Sequence, residues 1–264
     1  MSDVTTCDGE AFDREASDAT GAGRSAAPVG GRRARVSGSL PRFDDAEPVT
    51  VVLVRHGQTT MTVSRGYSGS SEPGPPLDET GRGQARAAAE LVARIGHELW
   101  PDVAPPTELL ASPMVRTQET AGLVGARLGL PFELEPAFRE AHFGQWQGLT
   151  SEQIEARWPG LLEPWHTTGK VVPPGGESIE AVGVRVHAGL EALRAGQART
   201  VVVVSHAVAI RAALGVTLHA DPGTWSRLRV SPASVSILRL FPDGRDEVAV
   251  AGMPSEVVGP VDTG

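Results

Sequence analysis

The chain has 264 residues, of which 40% are hydrophobic and 21% charged, and its formal net charge is −8. This length and hydrophobic content suit one large domain with a substantial core and exclude a chain that is disordered throughout. The acidic balance argues against a general nucleic-acid binder, whose affinity requires a basic face. It leaves room for a small positive pocket within an acidic surface.

Cys7 is the single cysteine, so the sequence offers no intrachain disulfide and no cysteine-based metal site. No apolar stretch approaches the ~18 residues that a membrane span needs. The first residues lack the basic start and the apolar segment of a secretory signal. We therefore expect a cytoplasmic protein that has neither a membrane nor a nucleic acid among its partners.

Residues 1–47 are rich in Gly, Ala, Ser, Asp and Arg and show no sustained apolar period. The first half of this segment is acidic and the second half is basic. We interpret it as a disordered N-terminal tail, and we favour a passive extension over a targeting or docking segment. A single domain is expected over 48–255, followed by a flexible C-terminus over 256–264.

From residue 49 onward, short apolar runs alternate with amphipathic segments. The run VTVVLVR at 49–55 is β-branched and apolar, which is typical of a strand covered on both faces. TELLASP at 107–113 predicts a second strand, and TVVVVS at 200–205 predicts a third. Apolar residues at helical spacing predict helices over 79–96, 114–129, 176–196 and 207–215.

Strands that alternate with helices predict an α/β fold, here a three-layer α/β/α sandwich with a mostly parallel central sheet. Two C-terminal segments, 226–244 and 247–252, are punctuated by Pro and Gly and predict antiparallel strands at one edge. Active sites of such sheets lie beyond the carboxyl ends of the strands. Two polar pairs, Arg55-His56 and Ser205-His206, follow predicted strands and are therefore the first candidates.

His56 lies between Arg55 and Gly57, at the point where the first strand is expected to end. A lone histidine there is most simply a residue satisfied by local hydrogen bonds. Here an arginine stands beside it, and Gly57 lets the backbone turn without a Cβ clash. A neutral imidazole is a competent nucleophile, and its attack on phosphorus would give a phosphohistidine. The guanidinium would bind the phosphate oxygens and stabilise the developing charge.

Arg116 lies in the segment ASPMVRTQET, in the first turns of a predicted helix. We expect Ser112 to cap this helix and Pro113 to occupy its first position. Taken alone, Arg116 is best interpreted as a surface arginine paired with Glu119 or Thr120.

Two further residues complete the set of candidates. Glu140, in REAHFGQWQG, is a carboxylic acid that could protonate a leaving oxygen, although a loop glutamate is usually only solvated. His206 could hold the oxygens of a transferring phosphoryl group. The central hypothesis is that folding brings His56, His206 and both arginines around one anion-sized hollow.

Five segments occur in a meaningful order and spacing: LVRHGQT, SPMVRTQET, REAHFGQWQG, PPGGES and VVVVSHAVAIRA. In this combination the sequence resembles the histidine phosphatase superfamily, in its phosphoglycerate mutase-like branch, from about residue 49 to about residue 252. The resemblance implies a phosphoglycerate mutase-like fold and a metal-independent phosphatase without a cofactor. It also implies a small phosphorylated metabolite as the substrate and a phosphohistidine as the intermediate.

The resemblance extends to individual residues. The implied catalytic residues are the nucleophile His56, the proton donor Glu140 and the phosphate-pocket residues Arg55, Arg116 and His206. The pocket-lining residues implied in addition are Thr59, Ser68 and Gly69. Thr62 stands where many relatives have an asparagine, and its hydroxyl offers one donor instead of two. The strength of phosphate binding and the substrate preference are therefore left open.

Cofactor-dependent mutases of the family have a longer insertion after the proton donor than the segment 141–172 provides. A hydrolase is therefore favoured over the two alternatives, a phosphoryl mutase and a catalytically inactive relative that binds a phosphorylated ligand. A metal site made of His56, His206 and Glu140 is disfavoured, because two nearby arginines would repel a divalent cation. The segments RGYSG and FGQWQGLT resemble broad-specificity acid phosphatases and ribazole-phosphate phosphatases without separating them.

Some smaller expectations concern the remaining aromatic residues and the oligomeric state. Trp146, Trp158 and Trp165 are interpreted as packing a helical cap against the core, in preference to forming a substrate lid. His142 is a weaker candidate for the border of the site, and His166 is expected to be exposed. Edge strands near the C-terminus leave a homodimer open.

Overall fold

The computed structural model describes residues 46–257. The expected N-terminal tail falls on residues outside this range, apart from its last two positions. Residues 258–264 of the expected flexible C-terminus also lie outside the described residues. The last described residues, Ser255–Val257, form a short 3₁₀ helix.

A six-stranded sheet forms the centre of the described part. Its strands are β1 (Val49–Arg55), β2 (Pro106–Ala111), β3 (Glu133–Leu134), β4 (Thr200–Ser205), β5 (Val235–Leu240) and β6 (Glu247–Met253). Their order across the sheet is β3-β2-β4-β1-β5-β6. Strands β1 to β4 pair in parallel, whereas β5 runs antiparallel to both of its neighbours, β1 and β6. The predicted mostly parallel sheet with antiparallel pairing at one edge is confirmed.

Seven α-helices connect and flank these strands. They are α1 (Thr60–Ser64), α2 (Glu79–Ala93), α3 (Val115–Leu128), α4 (Ser151–Arg157), α5 (Leu162–Thr168), α6 (Ile179–Arg194) and α7 (Ala207–Thr217). Each of these helices is too short or too polar to cross a bilayer, as far as the described residues extend.

The alternation of side chains along β1 divides the core into two layers. Val52 and Val54 pack with buried residues of α2 and α3 on one face of the sheet. Val51 and Leu53 pack with α6 and α7 on the other face. Because successive residues of a strand point to opposite faces, a strand covered on both sides must be apolar throughout. The three-layer α/β/α sandwich expected from the sequence is confirmed.

The start of α3 differs from the expectation. The residue that caps it is Met114, which makes no side-chain cap hydrogen bond, and the helix begins at Val115. Ser112 is not the cap, because its backbone N–H still donates to the carbonyl of Val204 in the sheet at 3.0 Å. The helix does end at Gly129, whose φ of 71° is the left-handed conformation that glycine adopts without strain.

The segment between the predicted proton donor and α6 contributes an aromatic cluster to the core. Trp146 and Trp165 are both buried, and their ring centroids lie 6.0 Å apart. Trp158 packs against the same core from a half-buried position. These contacts confirm that the tryptophans pack this segment, with its two short helices α4 and α5, against the sheet.

Candidate active site

The carboxyl ends of β1 and β4 lie side by side, since these two strands pair in parallel with Arg55 opposite Ser205. The backbone N–H of His56 continues the ladder and donates to the carbonyl of Ser205 at 3.0 Å. His56 and His206 therefore follow adjacent strand ends, and their ring centroids are 5.2 Å apart. The topology brings together two residues that are 150 positions apart in sequence.

The protonation of His56 follows from its contacts. Its Nδ1 lies 2.7 Å from the carbonyl oxygen of Gly57, which can only accept, so Nδ1 carries the proton and Nε2 keeps its lone pair. Burial, followed by the charges of Arg116 and Arg55, holds the pKa of His56 well below its ordinary value of 6.5. At neutral pH the imidazole is therefore neutral and nucleophilic at Nε2.

Gly57 is required by a close approach of two backbone segments. A Cβ at this position would lie 2.2 Å from the carbonyl oxygen of Gly81, in the first turn of α2. The N–H of Gly57 also donates to Oγ1 of Thr120 in α3, at 3.3 Å. Contacts with both α2 and α3 thus fix the turn that follows His56.

Arg116 is completely buried and contacts His56 directly. Its Nε lies 3.3 Å from Nε2 of His56, and its Nη2 donates to the carbonyl oxygens of Ser68 at 2.9 Å and of Gly69 at 3.3 Å. The alternative of a surface arginine paired with Glu119 or Thr120 is therefore wrong. The loop after α1 folds over the start of α3, and the local sequence does not encode that approach.

Arg55 is held at the same end of the sheet. Its Nη1 donates to the carbonyl of Val230 at 2.7 Å. Burial lowers the pKa of Arg55 to about 10 and that of Arg116 to about 10, while the charge of Glu140 raises both. Both guanidiniums therefore remain positive at neutral pH, and they supply the charge that a bound anion would need.

His206 precedes α7 and is completely buried. Its Nε2 lies 2.7 Å from Oγ of Ser112, and its Nδ1 has no hydrogen-bond partner among the described residues. Burial is the main cause that lowers the pKa of His206 well below 6.5, so this ring is also neutral. Sequence reasoning missed Ser112 as a partner of His206, although its position after a third parallel strand, β2, was a usable signal.

Glu140 lies beside the same helix start. Its carboxylate accepts from the N–H of Val208, in the first turn of α7, at 3.2 Å, and from the N–H of Ala141 at 3.0 Å. The backbone of this loop is fixed by Arg185 of α6, which donates to the carbonyls of Arg139 at 2.7 Å and of Glu140 at 3.0 Å. Glu140 is only 6% exposed, so it is not the freely solvated loop residue of the simpler interpretation.

A cavity of about 250 Å³ opens in front of these groups. The predicted residues that line it are Arg55, His56, Thr59, Thr62, Ser68 and Glu140. Arg116 and His206 are not among its lining residues, but both contact His56, which is one of them. We call the group formed by Arg55, His56, Arg116 and His206 the buried end of the cavity. Gly69 lies outside the lining, where its carbonyl accepts from Arg116 and its N–H donates to Gln147 at 2.8 Å.

Thr59 and Thr62 form a capping box at the start of α1. Oγ1 of Thr62 accepts from the N–H of Thr59 at 3.3 Å, and Oγ1 of Thr59 accepts from the N–H of Thr62 at 3.2 Å. The two hydroxyls lie 3.2 Å apart, so one of them donates a hydrogen bond to the other. Thr62 therefore stabilises the helix start in addition to lining the cavity.

The mouth of the cavity contains residues that sequence reasoning did not select. Tyr67, Arg65 and Arg211 line it together with His166. The expectation of an exposed His166 is wrong, because its Nε2 lies 3.1 Å from the hydroxyl of Tyr67 and the ring is half-buried. The segment RGYSG marked this loop in the sequence, but its contact with α5 spans 99 residues.

Several buried polar atoms around His56 lack a partner among the described residues. They are Nε of Arg55, Nη1 of Arg116, Nδ1 of His206 and Oγ of Ser68. Buried polar groups are rarely left unpaired, and a set of them at one place indicates a ligand. All four can donate, so the group that fits them is an oxyanion. No cluster of three His, Cys, Asp or Glu side chains suited to a metal ion occurs within 46–257.

Residues 51–251 match the family model of the histidine phosphatase superfamily (branch 1). The chain belongs to this superfamily. At 35% identity over 243 residues, it is similar to the bifunctional protein Rv2228c of Mycobacterium tuberculosis, with 89% of this chain and 64% of that protein covered. The chain thus spans less than two thirds of the length of that relative.

A second relative matches the chain in both sequence and structure. The glucosyl-3-phosphoglycerate phosphatase of Mycobacterium tuberculosis is 33% identical over 187 residues, which cover 67% of this chain and 79% of that protein. A native structure of mycobacterial glucosyl-3-phosphoglycerate phosphatase aligns with a TM-score of 0.67 at 30% identity. The alignment covers 78% of this chain and 99% of that chain.

Proposed function

We propose that this histidine phosphatase is a metal-independent phosphomonoesterase that hydrolyses small phosphorylated metabolites through a phosphohistidine at His56. The observation that carries the proposal is the arrangement at the buried end of the cavity. There, Nε2 of His56 accepts from Nε of Arg116 at 3.3 Å, and buried donors of Arg55, Arg116 and His206 lack a partner among the described residues. These donors fit the oxygens of a phosphoryl group held in front of a nucleophile.

In the first step, Nε2 of His56 attacks phosphorus in line with the ester oxygen. A nitrogen–phosphorus bond forms while the bond between phosphorus and the ester oxygen breaks. Glu140 enters this step as a carboxylic acid and transfers its proton to the leaving oxygen, which departs as an alcohol. The arginine guanidiniums stabilise the charge on the three remaining phosphoryl oxygens.

In the second step, Glu140 is a carboxylate and takes a proton from a water molecule. The oxygen of this water attacks phosphorus, the nitrogen–phosphorus bond breaks, and inorganic phosphate leaves. His56 returns to its neutral form with the proton on Nδ1, where the carbonyl of Gly57 holds it at 2.7 Å. Glu140 returns to its acid form, so the cycle consumes one water and no cofactor.

The positive charge of two arginines takes the place that a metal ion has in many other phosphatases. A metal site made of His56, His206 and Glu140 is disfavoured by the same charges, because both guanidiniums are buried close to His56. Turnover should therefore persist after prolonged dialysis against a chelator. Loss of activity that a divalent cation restores would contradict this part of the proposal.

The destination of the phosphate tests the function. The purified chain is incubated with a small phosphate monoester, and inorganic phosphate and isomerised ester are both measured over many turnovers. Steady release of one phosphate per ester consumed is the expected result. An isomerised ester without phosphate release would identify a phosphoryl mutase. Tight phosphate binding without turnover at any pH would identify an inactive binding protein.

A further inference from the structure

The loop that follows α1 is bound to the first turns of α3. We call residues 68–77 the arginine loop. The carbonyl of Pro73 accepts from the N–H of Val115, the first residue of α3, at 3.0 Å. Further along the loop, the N–H of Leu77 donates to the carboxylate of Glu119 at 2.8 Å. These two contacts fix the arginine loop against the start of the helix.

The same loop holds the guanidinium of Arg116. The carbonyls of Ser68 and Gly69 accept from its Nη2 at 2.9 and 3.3 Å. Its Nη1 is next to Gly74 and has no hydrogen-bond partner among the described residues. One terminal nitrogen is thus tied to the arginine loop, and the other keeps its donors for a phosphoryl oxygen.

Gly74 leaves the space that Nη1 occupies. A Cβ at position 74 would clash with Nη1 of Arg116, whereas the next nearest atoms, Cζ of Arg116 and Oγ of Ser68, would lie at 3.7 and 3.9 Å. The clash would therefore displace the end of the arginine side chain and spare the backbone. Because a guanidinium is planar and rigid, displacing Nη1 would also turn Nε, which lies 3.3 Å from Nε2 of His56.

Backbone conformation is a second reason for a glycine at this position. Gly74 has a φ of 79°, in the left-handed region that glycine adopts without strain. Gly148 has the same φ and lines the same surface cavity of about 530 Å³, yet a Cβ there would meet no atom within 4 Å. Comparing the two glycines therefore separates backbone strain from the contact with Arg116.

We propose that Gly74 is a positioning residue for phosphate binding: because it has no side chain, it leaves room for Nη1 of Arg116 and keeps the guanidinium directed at the phosphoryl oxygens. Hydrogen bonds weaken steeply when the donor angle departs from linearity, so a modest rotation of the guanidinium would reduce phosphate binding. The inference rests on the proposed phosphatase function, in which Arg116 binds the phosphoryl group. It adds the residue that sets the direction of this arginine.

Binding of inorganic phosphate to the full chain, measured by calorimetric titration, tests the inference without turnover. Gly74→Ala should raise the Kd for phosphate by roughly 10- to 100-fold, the usual range when a hydrogen bond to a charged group is lost. Gly148→Ala is the matched control, because it introduces the same backbone strain without the contact, and it should leave the Kd unchanged. A Gly74→Ala chain that binds phosphate as tightly as the unaltered chain would overturn the inference.

A double-mutant cycle shows whether Gly74 acts through Arg116. Arg116→Ala removes the group with which a Cβ at position 74 would clash. In that chain, Gly74→Ala should therefore change the Kd for phosphate no further, so the effects of the two substitutions are not additive. A second loss of affinity as large as the first would mean that position 74 acts by another route, and the inference would be wrong.

Thermal unfolding, followed by circular dichroism, separates a local effect from loss of the fold. Gly74→Ala and Gly148→Ala should lower the Tm by similar amounts, about 2 to 4 °C, because alanine is strained at both positions. Gly74→Asn is the second variant, since asparagine adopts the left-handed conformation more readily and still carries a Cβ. It should weaken phosphate binding as Gly74→Ala does. Tight phosphate binding by a folded Gly74→Asn chain would contradict the inference.

The binding measurement can fail independently of the proposed function. Weaker phosphate binding in Gly74→Ala that depends on Arg116 supports the inference even if the unaltered chain hydrolyses no ester. Release of phosphate from esters together with an unchanged Kd in Gly74→Ala would leave the phosphatase function in place and overturn the inference. An unaltered chain that binds no phosphate would also overturn it, because Arg116 would then have no oxyanion to bind.

Discussion

The two ends of the cavity are built from different kinds of structure. At the buried end, His56 and His206 follow adjacent strands of the sheet, and Arg116 is tied to backbone carbonyls of a neighbouring loop. At the mouth, Tyr67 comes from a loop and Arg211 from a helix surface, and both side chains are half-buried. The two histidines are positioned by the ladder of backbone hydrogen bonds, and Arg116 by its hydrogen bonds to loop carbonyls. The residues at the mouth are positioned by a few side-chain contacts.

This structural difference suits the two ends to different roles: bond formation at the buried end and substrate recognition at the mouth. Groups on strand ends cannot move without disturbing the sheet, which suits the fixed geometry that bond formation needs. Groups at the mouth can rotate, and loops and exposed helix faces are where binding residues commonly lie. Changes at the buried end should therefore lower the turnover of every substrate, whereas changes at the mouth should alter the choice among substrates.

The largest effect is expected at the nucleophile. His56→Ala should lower kcat by about 10⁴-fold or more for every ester, because the covalent route is lost. It should also abolish the acid-labile phosphoenzyme seen after rapid quenching with labelled substrate. His187→Ala is the matched control, because His187 is exposed on α6, and it should retain full activity. If the kcat of the His56→Ala chain stayed within tenfold of that of the unaltered chain, the assignment of catalysis to the buried end would be wrong.

Glu140→Gln should show the next largest effect. The amide keeps an oxygen that can accept from Val208, but it has no proton to transfer to a leaving oxygen. We expect kcat to fall about 10²- to 10⁴-fold for alkyl phosphates, which need a protonated leaving group. The fall should be much smaller for p-nitrophenyl phosphate, whose leaving group is stable as an anion. Equal losses for both kinds of ester would remove the role of proton donor from Glu140.

Ser112→Ala should have a moderate effect through His206. The Ser112 hydroxyl lies 2.7 Å from Nε2 of His206, and a donation to that nitrogen leaves the ring proton on Nδ1. Losing this one hydrogen bond should reduce kcat about tenfold. The ¹⁵N chemical shifts of His206 should report a change of tautomer, which a purely structural role of Ser112 would not produce.

Ser234→Ala is the control for this change. Ser234 is also a buried serine, and its hydroxyl has no hydrogen-bond partner among the described residues. Its loss should alter neither kcat nor the His206 signals. If Ser112→Ala behaves like this control, Ser112 does not set the tautomer of His206.

The smallest effect concerns stability and pH. Burial lowers the pKa of both His56 and His206 below 6.5, so the unfolded chain binds more protons than the folded chain once the pH falls below 6.5. The free energy of unfolding should therefore decrease on acidification below that pH, by up to about 1.4 kcal/mol per pH unit for each histidine. Urea unfolding at pH 7.5, 6.5 and 5.5 measures this slope.

Two variants sharpen the pH measurement. His56→Asn removes one of the buried titrating rings and should make the slope below pH 6.5 shallower. His187→Ala removes an exposed ring on α6, outside the cavity lining, and is the control for replacing a histidine. Identical slopes in the three chains would show that His56 does not titrate with a lowered pKa.

The parts of the molecule that could be predicted from sequence are those with a local signal. The apolar run before Arg55 and the repeat of that pattern before His206 predict two buried strands, and parallel strands bring their carboxyl ends together. Ser112 was misplaced as a helix cap because its partner, His206, lies 94 residues away. Arg116 resembled a surface residue for the same reason, since the carbonyls that bind it belong to a loop 47 and 48 residues earlier.

The amino-acid sequence alone determined the α/β layering, the order of the main strands and helices along the chain, and the placement of His56 and His206 directly after two buried strands. Continuous apolar runs, helical spacing and the polar pairs that end the runs are all patterns of neighbouring residues. Only the tertiary structure decided the tautomer of His56, the unpartnered donors around it and the position of Arg211 in the cavity lining. Those properties arise from burial and from contacts between distant segments, and no short stretch of the chain contains them.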